Sequence, residues 1–350
     1  MPEHSRTGEV TPGLWTRLSA GLLPTLFLAL AVLPSSLALA GARDLQAVVD
    51  EAFTAYRGVD DGEVATYIPA LAEADPDHFA VAIATVSGEV FSAGDSNRTF
   101  AIMSAAKPFT LALLLQQQGP DFVFEHIGVE PTGLPFNALS NIEDPPLAPL
   151  NPMVNAGAIT AVSLLQAESA GQRWTLLQNW YSAFAGEPLE LMDNVYRSVS
   201  EGGYRNRAVA DLLQLHDRLG ASPAETLEVY NRQSSVGVTA KQLAVMGATL
   251  ASGGSNPLTG QRVLSPELID EVLAVMMTSG FYDESGWWAY TTGLPAKSGV
   301  GGGVVAIVPG RMAIVGYSPR LSPAGNSVRG LLAVQHIARE LRLNLFRTAP

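Results

Sequence analysis

Apolar positions along this chain follow two patterns, one with helical spacing and one of short β-branched runs. Between Asp44 and Arg57 they recur at Leu45, Val48, Val49, Phe53 and Tyr56, a spacing that predicts a helix. Phe79 to Phe91 holds two strand-like runs about Ser87-Gly88, and Gly94-Asp95-Ser96-Asn97 marks a turn after them. Ser104 to Gln118 reads as a helix that stops near Gly119-Pro120. Gly119 to Pro152 is dense in Gly, Pro and Asn, which predicts long loops. Ala156 to Ala170, Trp174 to Ala185 and Asn206 to Leu219 read as helices. Ser222 followed by Pro223 is an N-cap and a first helical position. Thr239 to Ser252 is helical up to Gly253-Gly254, and Ser265-Pro266-Glu267 opens a helix reaching about Met277. Gly303 to Pro309 and Arg311 to Tyr317 are short and β-branched, with Pro309-Gly310 as a hairpin signal. Asn326 to Arg342 is a final amphipathic helix.

Strands therefore lie towards both ends and helices fill the middle. This order predicts an α/β layer completed by two distant pieces of chain, with a helical insertion between them. One further apolar run, Leu22 to Leu33, follows Arg17 and precedes the small residues Ala38-Leu39-Ala40. Residues 1–40 thus read as a cleaved export signal. With no charge between Leu18 and Ala42, an uncleaved membrane anchor is the alternative. A real signal implies a periplasmic or secreted protein; without one the cytoplasm is the expected site.

Composition narrows the class. At 47% apolar and 15% charged residues the chain is globular, and 350 residues suffice for a large core and one or two domains. A formal charge of −12 argues against a nucleic-acid partner. The absence of cysteine excludes disulfides, a thiolate nucleophile and thiolate metal sites. None of the five histidines stands in a catalytic or metal-binding motif, so no metal and no cofactor is expected. Gly301-Gly302-Gly303 leads into a strand instead of opening a helix, which is not the context of a phosphate loop.

The candidate chemistry centres on Ser104-Ala-Ala-Lys107. Residues three apart on a helix share a face. A serine hydroxyl needs a base close by, and a lysine amine can serve once burial lowers its pKa. Alone, the pattern is weak and reads first as a helix cap followed by a solvated lysine. Lys297-Ser298-Gly299 far downstream changes this, because Ser-x-x-Lys followed by Lys-Ser-Gly is the signature order of penicillin-recognising serine enzymes. Between and around them stand Tyr67-Ile68-Pro69, Glu130-Pro131-Thr132-Gly133, Pro135-Phe136-Asn137, Asn151-Pro152-Met153-Val154-Asn155-Ala156-Gly157, Arg205-Asn206-Arg207, Tyr282-Asp283-Glu284-Ser285-Gly286 and Gly325-Asn326-Ser327. With these, the chain resembles the serine-dependent glutaminase family, a branch of the β-lactamase-like fold, from about Gly62 to the C-terminal helix.

The resemblance implies an antiparallel sheet flanked by helices plus a helical domain, with the active site in the cleft between. Here the catalytic unit would span 44–345, its sheet layer drawn from about 62–104 and 290–345 and its helical insertion from about 105–289. It implies hydrolysis of L-glutamine to L-glutamate and ammonia through an acyl-enzyme on Ser104, with Lys107 as general base. The Ser104 and Val300 backbone N–H groups would form the oxyanion hole. Tyr230 and Tyr282 would relay a proton or bond the substrate, and Lys297 would shape the field around Ser104. Asn155, Asn206 and Tyr67 would hold the amino-acid end of the substrate; read from its own context, Asn155 is instead a helix N-cap ahead of Ala156-Gly157-Ala158, a role compatible with the first. The resemblance further implies a homo-oligomer.

Two positions depart from the family pattern. Where the family usually carries a glutamate after Ser198, this chain has Val199, and the residue before the nucleophile, commonly glutamine, is Met103. Glu201, two residues on, is the candidate substitute for contact with the substrate's ammonium group. Two other readings follow: an exported β-lactamase-like hydrolase acting on penicillin or peptidoglycan peptides, and a non-catalytic module that binds glutamine or glutamate.

Overall fold

The computed structural model describes residues 44–143 and 150–347. The expected export signal lies outside the described residues. In chain order the elements are α1 (Leu45–Tyr56), α2 (Pro69–Ala72), β1 (Ala80–Thr85), β2 (Val90–Gly94), β3 (Phe100–Ala101), α3 (Lys107–Gln118), α4 (Pro120–His126), α5 (Ser140–Glu143), α6 (Asn155–Ser163), α7 (Ala170–Ala185), α8 (Asp193–Gly202), α9 (Tyr204–Leu215), α10 (Pro223–Ser234), β4 (Gly237–Val238), α11 (Ala240–Ala251), α12 (Ile269–Ser279), α13 (Ser285–Thr291), β5 (Ala296–Ser298), β6 (Gly303–Val308), β7 (Met312–Tyr317) and α14 (Val328–Glu340).

Five strands form an antiparallel sheet in the order β2-β1-β7-β6-β5. The N-terminal hairpin β1–β2 therefore pairs directly with the C-terminal hairpin β6–β7, Ala80 facing Tyr317 and Thr85 facing Met312. Side chains alternate between the two faces. Val81, Ile83, Val304, Ala306 and Ile314 point into a core shared with α1 and α14. Ala82, Ala84, Val305, Ile307, Ala313 and Val315 point into a larger core that runs on through the helices. Helix α11 lies against this second face, and Gly247 permits it: a Cβ there would sit 2.6 Å from that of Ala313. Thus α11, which the sequence places inside the helical insertion, covers the sheet. The short pairing of β3 with β4 ties the segment before Ser104 to the chain just ahead of α11.

Several expected boundaries move. The helix expected over Ser104 to Gln118 begins as a 3₁₀ turn, Met103–Ala106, and becomes α-helical only at Lys107. The helix expected over Ala156 to Ala170 stops at Ser163. Ser163 Oγ turns back to Thr160 O at 2.7 Å, and Ser169 caps the separate helix α7 by accepting from Gln172 N. The helix expected to reach Leu219 ends at Leu215, where Asp217 adopts φ 53° and Arg218 N bonds back to Leu213 O. The loop expected over Gly119 to Pro152 contains α4, which starts on Pro120. Asn155 is not the cap of α6; Val154 occupies that position and Asn155 is the first helical residue. Helices α8 and α13 were not expected from the pattern.

Candidate active site

The turn that carries Ser104 is fixed from both sides. Ile102 N donates to Val236 O at 2.9 Å, beside the β3–β4 pairing. Met103 takes φ 48°, a left-handed conformation that a residue with a side chain adopts at a cost. The loop after β5 closes the other side: a Cβ on Gly299 would lie 2.7 Å from Ile102 O, and one on Gly301 only 2.0 Å from Ala101 O. Only glycine lets these two backbones approach so closely, and the approach puts Val300 beside Ser104 on the wall of one cavity. Among the described residues, no acceptor takes the Val300 N–H, which leaves it available to a ligand.

Lys107 lies one turn beyond Ser104. Its Nζ sits 3.1 Å from Ser104 Oγ and donates to Asn155 Oδ1 at 2.8 Å. The same oxygen accepts from Tyr230 OH at 3.1 Å, and Asn155 Nδ2 donates to Asn206 Oδ1 at 3.0 Å. Asn155 has exchanged the capping role expected of it for the centre of this network. Lys107 is buried, and burial with no carboxylate partner lowers its pKa to about 7. Lys297, on β5, is buried too; its Nζ donates to Gly280 O at 2.9 Å and Ser298 O at 2.8 Å and lies 4.0 Å from the centre of the Tyr282 ring. Burial, and then the nearby Lys107 charge, push its pKa well below that of an ordinary lysine. Burial pushes the Tyr230 and Tyr282 phenols upward, so both keep their protons at neutral pH. Tyr282 has φ 59°, and its turn is held by Ser285 Oγ, which donates to Tyr282 O at 2.8 Å and accepts from Phe281 N at 3.0 Å.

Ser104, Asn155, Asn206, Tyr230 and Val300 line a cavity of about 190 Å³, with Tyr67 on the same wall. A nucleophile, an amine whose pKa burial lowers to about 7 within reach of it, a free backbone donor and two protonated phenols suit acyl transfer through a serine ester. The family model for glutaminase matches residues 62–346. The chain belongs to the glutaminase family. A glutaminase of Colwellia psychrerythraea is 44% identical over 302 residues, 86% of this chain and 97% of the relative. Among solved structures, a probable glutaminase ybaS superposes with a TM-score of 0.86 at 46% identity, covering 88% of this chain and all of the other. A structure of Mglu in its glutamate form gives 0.83 at 39% identity, covering 89% and 72%.

In this glutaminase, Ser104, Lys107, Tyr230, Tyr282, Lys297, Asn155, Asn206 and Val300 gather around one site. Tyr67 stands at its rim, 61% exposed. Glu201 does not join them: it is exposed on α8 and off the cavity wall, and its carbonyl accepts from Arg207 Nη2. Val199 does line the cavity. The wall also contains Ser198, Asn231, Ser234 and Arg205, which the sequence reading did not propose as site residues. Arg205 stands in a stretch that carries the family resemblance and could have been found there. Ser198 and Asn231 come together only through the packing of α8 on α10.

Proposed function

We propose that this glutaminase deamidates L-glutamine through a γ-glutamyl ester on Ser104, in a site set between the sheet and the helical part of a β-lactamase-like fold. Neutral Lys107 takes the Ser104 proton as Oγ attacks the side-chain amide carbon. The oxyanion accepts from the Val300 and Ser104 N–H groups. Lys107 then protonates the nitrogen, the C–N bond breaks and ammonia leaves. Water, activated by the same amine, cleaves the ester to glutamate and restores Ser104. Tyr282, in contact with Ser104, and Tyr230, on Asn155, hold protons that stabilise the developing charges. Lys297 lends the site a donor-rich surrounding without reaching the serine. Asn206, Asn155 and Tyr67 meet the amino-acid end.

The single observation that supports this most strongly is the 3.1 Å approach of a buried, uncompensated lysine amine to Ser104 Oγ. Ammonia release from L-glutamine by the purified protein tests it. Ser104→Ala is expected to lower kcat by about a thousandfold or more. A variant as fast as the wild type overturns the ester mechanism. The same reading takes the Leu22 to Leu33 run as an export signal, placing the reaction outside the cytoplasm.

A further inference from the structure

The cavity wall carries no anion. Among the described residues, none of those lining it is Asp or Glu; its one cation is Arg205, and Ile68, Met103 and Val199 make part of it apolar. Glu201, the nearest carboxylate along α8, is exposed and faces away from the wall. L-glutamine enters with an α-carboxylate and an α-ammonium group. The carboxylate can meet Arg205, Asn206 and Asn231 as donors. The ammonium group meets only neutral oxygens, and a cation stripped of water without a counter-charge is penalised. A glutamine whose α-nitrogen is acylated carries no such charge and loses less on entry.

The wall also has room for the acyl group. Gly202 contributes no side chain, and a Cβ built there meets nothing within 4 Å. Exposed Tyr67 stands at the same cavity's rim with an aromatic face for an apolar substituent.

We propose that this site also hydrolyses the γ-carboxamide of N-acylated glutamines that keep a free α-carboxylate. The inference rests on the Ser104 reading above. The reaction balances as before: N-acyl-glutamine and water give N-acyl-glutamate and ammonia, the amide C–N bond breaking as the serine ester forms and then hydrolyses.

The test is ammonia release from L-glutamine, N-acetyl-L-glutamine and 4-carbamoylbutanoate, which lacks the amine, by the full-length protein. The expected result is a kcat/KM on N-acetyl-L-glutamine equal to or above that on L-glutamine, the difference lying in KM. Val199→Glu, which puts an anion on the wall, is expected to shift the ratio about ten- to hundredfold towards L-glutamine. The wild-type comparison decides by itself if the variant fails to fold. Preference for L-glutamine over both substrates that lack the ammonium group by more than about tenfold overturns the inference and leaves the glutaminase reading standing. No ammonia from any of the three overturns that reading as well.

Discussion

At the scale of single residues, the proposed mechanism turns on the protonation of Lys107. As the proposed base the amine must be neutral to take a proton from Ser104, so its pKa of about 7 is expected to divide an inactive acid form from an active one. Activity on L-glutamine should rise with pH through an apparent pKa near 7 and hold above it. A rate independent of pH between about 5 and 8 would exclude Lys107 as the base. Lys107→Arg keeps a cation that never deprotonates, so it is expected to abolish turnover while the protein still folds, seen as an unchanged circular-dichroism spectrum. Glu201 gives the opposite expectation. Because it faces solvent away from the cavity, Glu201→Ala should leave KM for L-glutamine within about twofold; a larger rise would mean that the side chain reaches the substrate. The sequence made Ser104 and Lys107 legible because their chemistry is tied to short motifs, while Tyr230 and Tyr282 followed only from the family resemblance. It could not tell that Val199, and not Glu201, faces the cavity. That depends on the rotation of α8 about its axis, and α8 itself was not foreseen.

At the scale of elements, the site is a meeting of three short irregular pieces: the 3₁₀ turn at Met103–Ala106, the Gly299–Gly301 loop and the turn at Tyr282. Regular elements hold each piece; the sequence pattern anticipated α3, α12 and β6 among them, but not β3, β5 or α13. Hairpins β1–β2 and β6–β7, the caps at Ser222 and Thr239 and the helix ends at Gly119 and Gly186 all have local causes in turn and cap residues. The irregular pieces do not, because their shape follows from contacts between distant segments. Gly301→Ala separates the two cases. Its added methyl would sit 2.0 Å from Ala101 O, so the loop must withdraw from the nucleophile turn. We expect kcat to fall at least about tenfold with a lowered melting temperature. Thr239→Ala removes the capping box of α11, remote from the chemistry, and should cost about 1 kcal/mol of stability with kcat unchanged. Equal effects of the two variants on kcat would mean that the loop contact plays no special part.

At the scale of the whole molecule, the chain closes on itself: the sheet is complete only when β1, from the first third, lies beside β7, close to the end. This order is what the alternation of strand-like and helical runs implied. Its consequence lies in α1. The family match begins at residue 62, so α1 falls outside it, yet Val48, Val49 and Ala52 are fully buried and Phe53 stacks on Phe79 at 5.2 Å. Together with α14, this helix covers the face of the sheet that bears Val81, Ile83 and Ile314. Fully burying a valine contributes about 1.5–3 kcal/mol, and the uncovered face would expose further apolar surface. Two truncations separate the roles of the segments before the matched region. A chain beginning at Asp44 keeps all of α1 and should hydrolyse L-glutamine within about twofold of the full-length protein, with the same melting temperature. A chain beginning at Asp60 lacks it and should lose several kcal/mol, about the sum of its two buried valines, and aggregate through the bared sheet face. Activity and melting curves of both truncated chains decide the matter. A stable, active chain from Asp60 would show that α14 alone protects the sheet, and an unfolded chain from Asp44 would show that the catalytic unit leans on the residues before it.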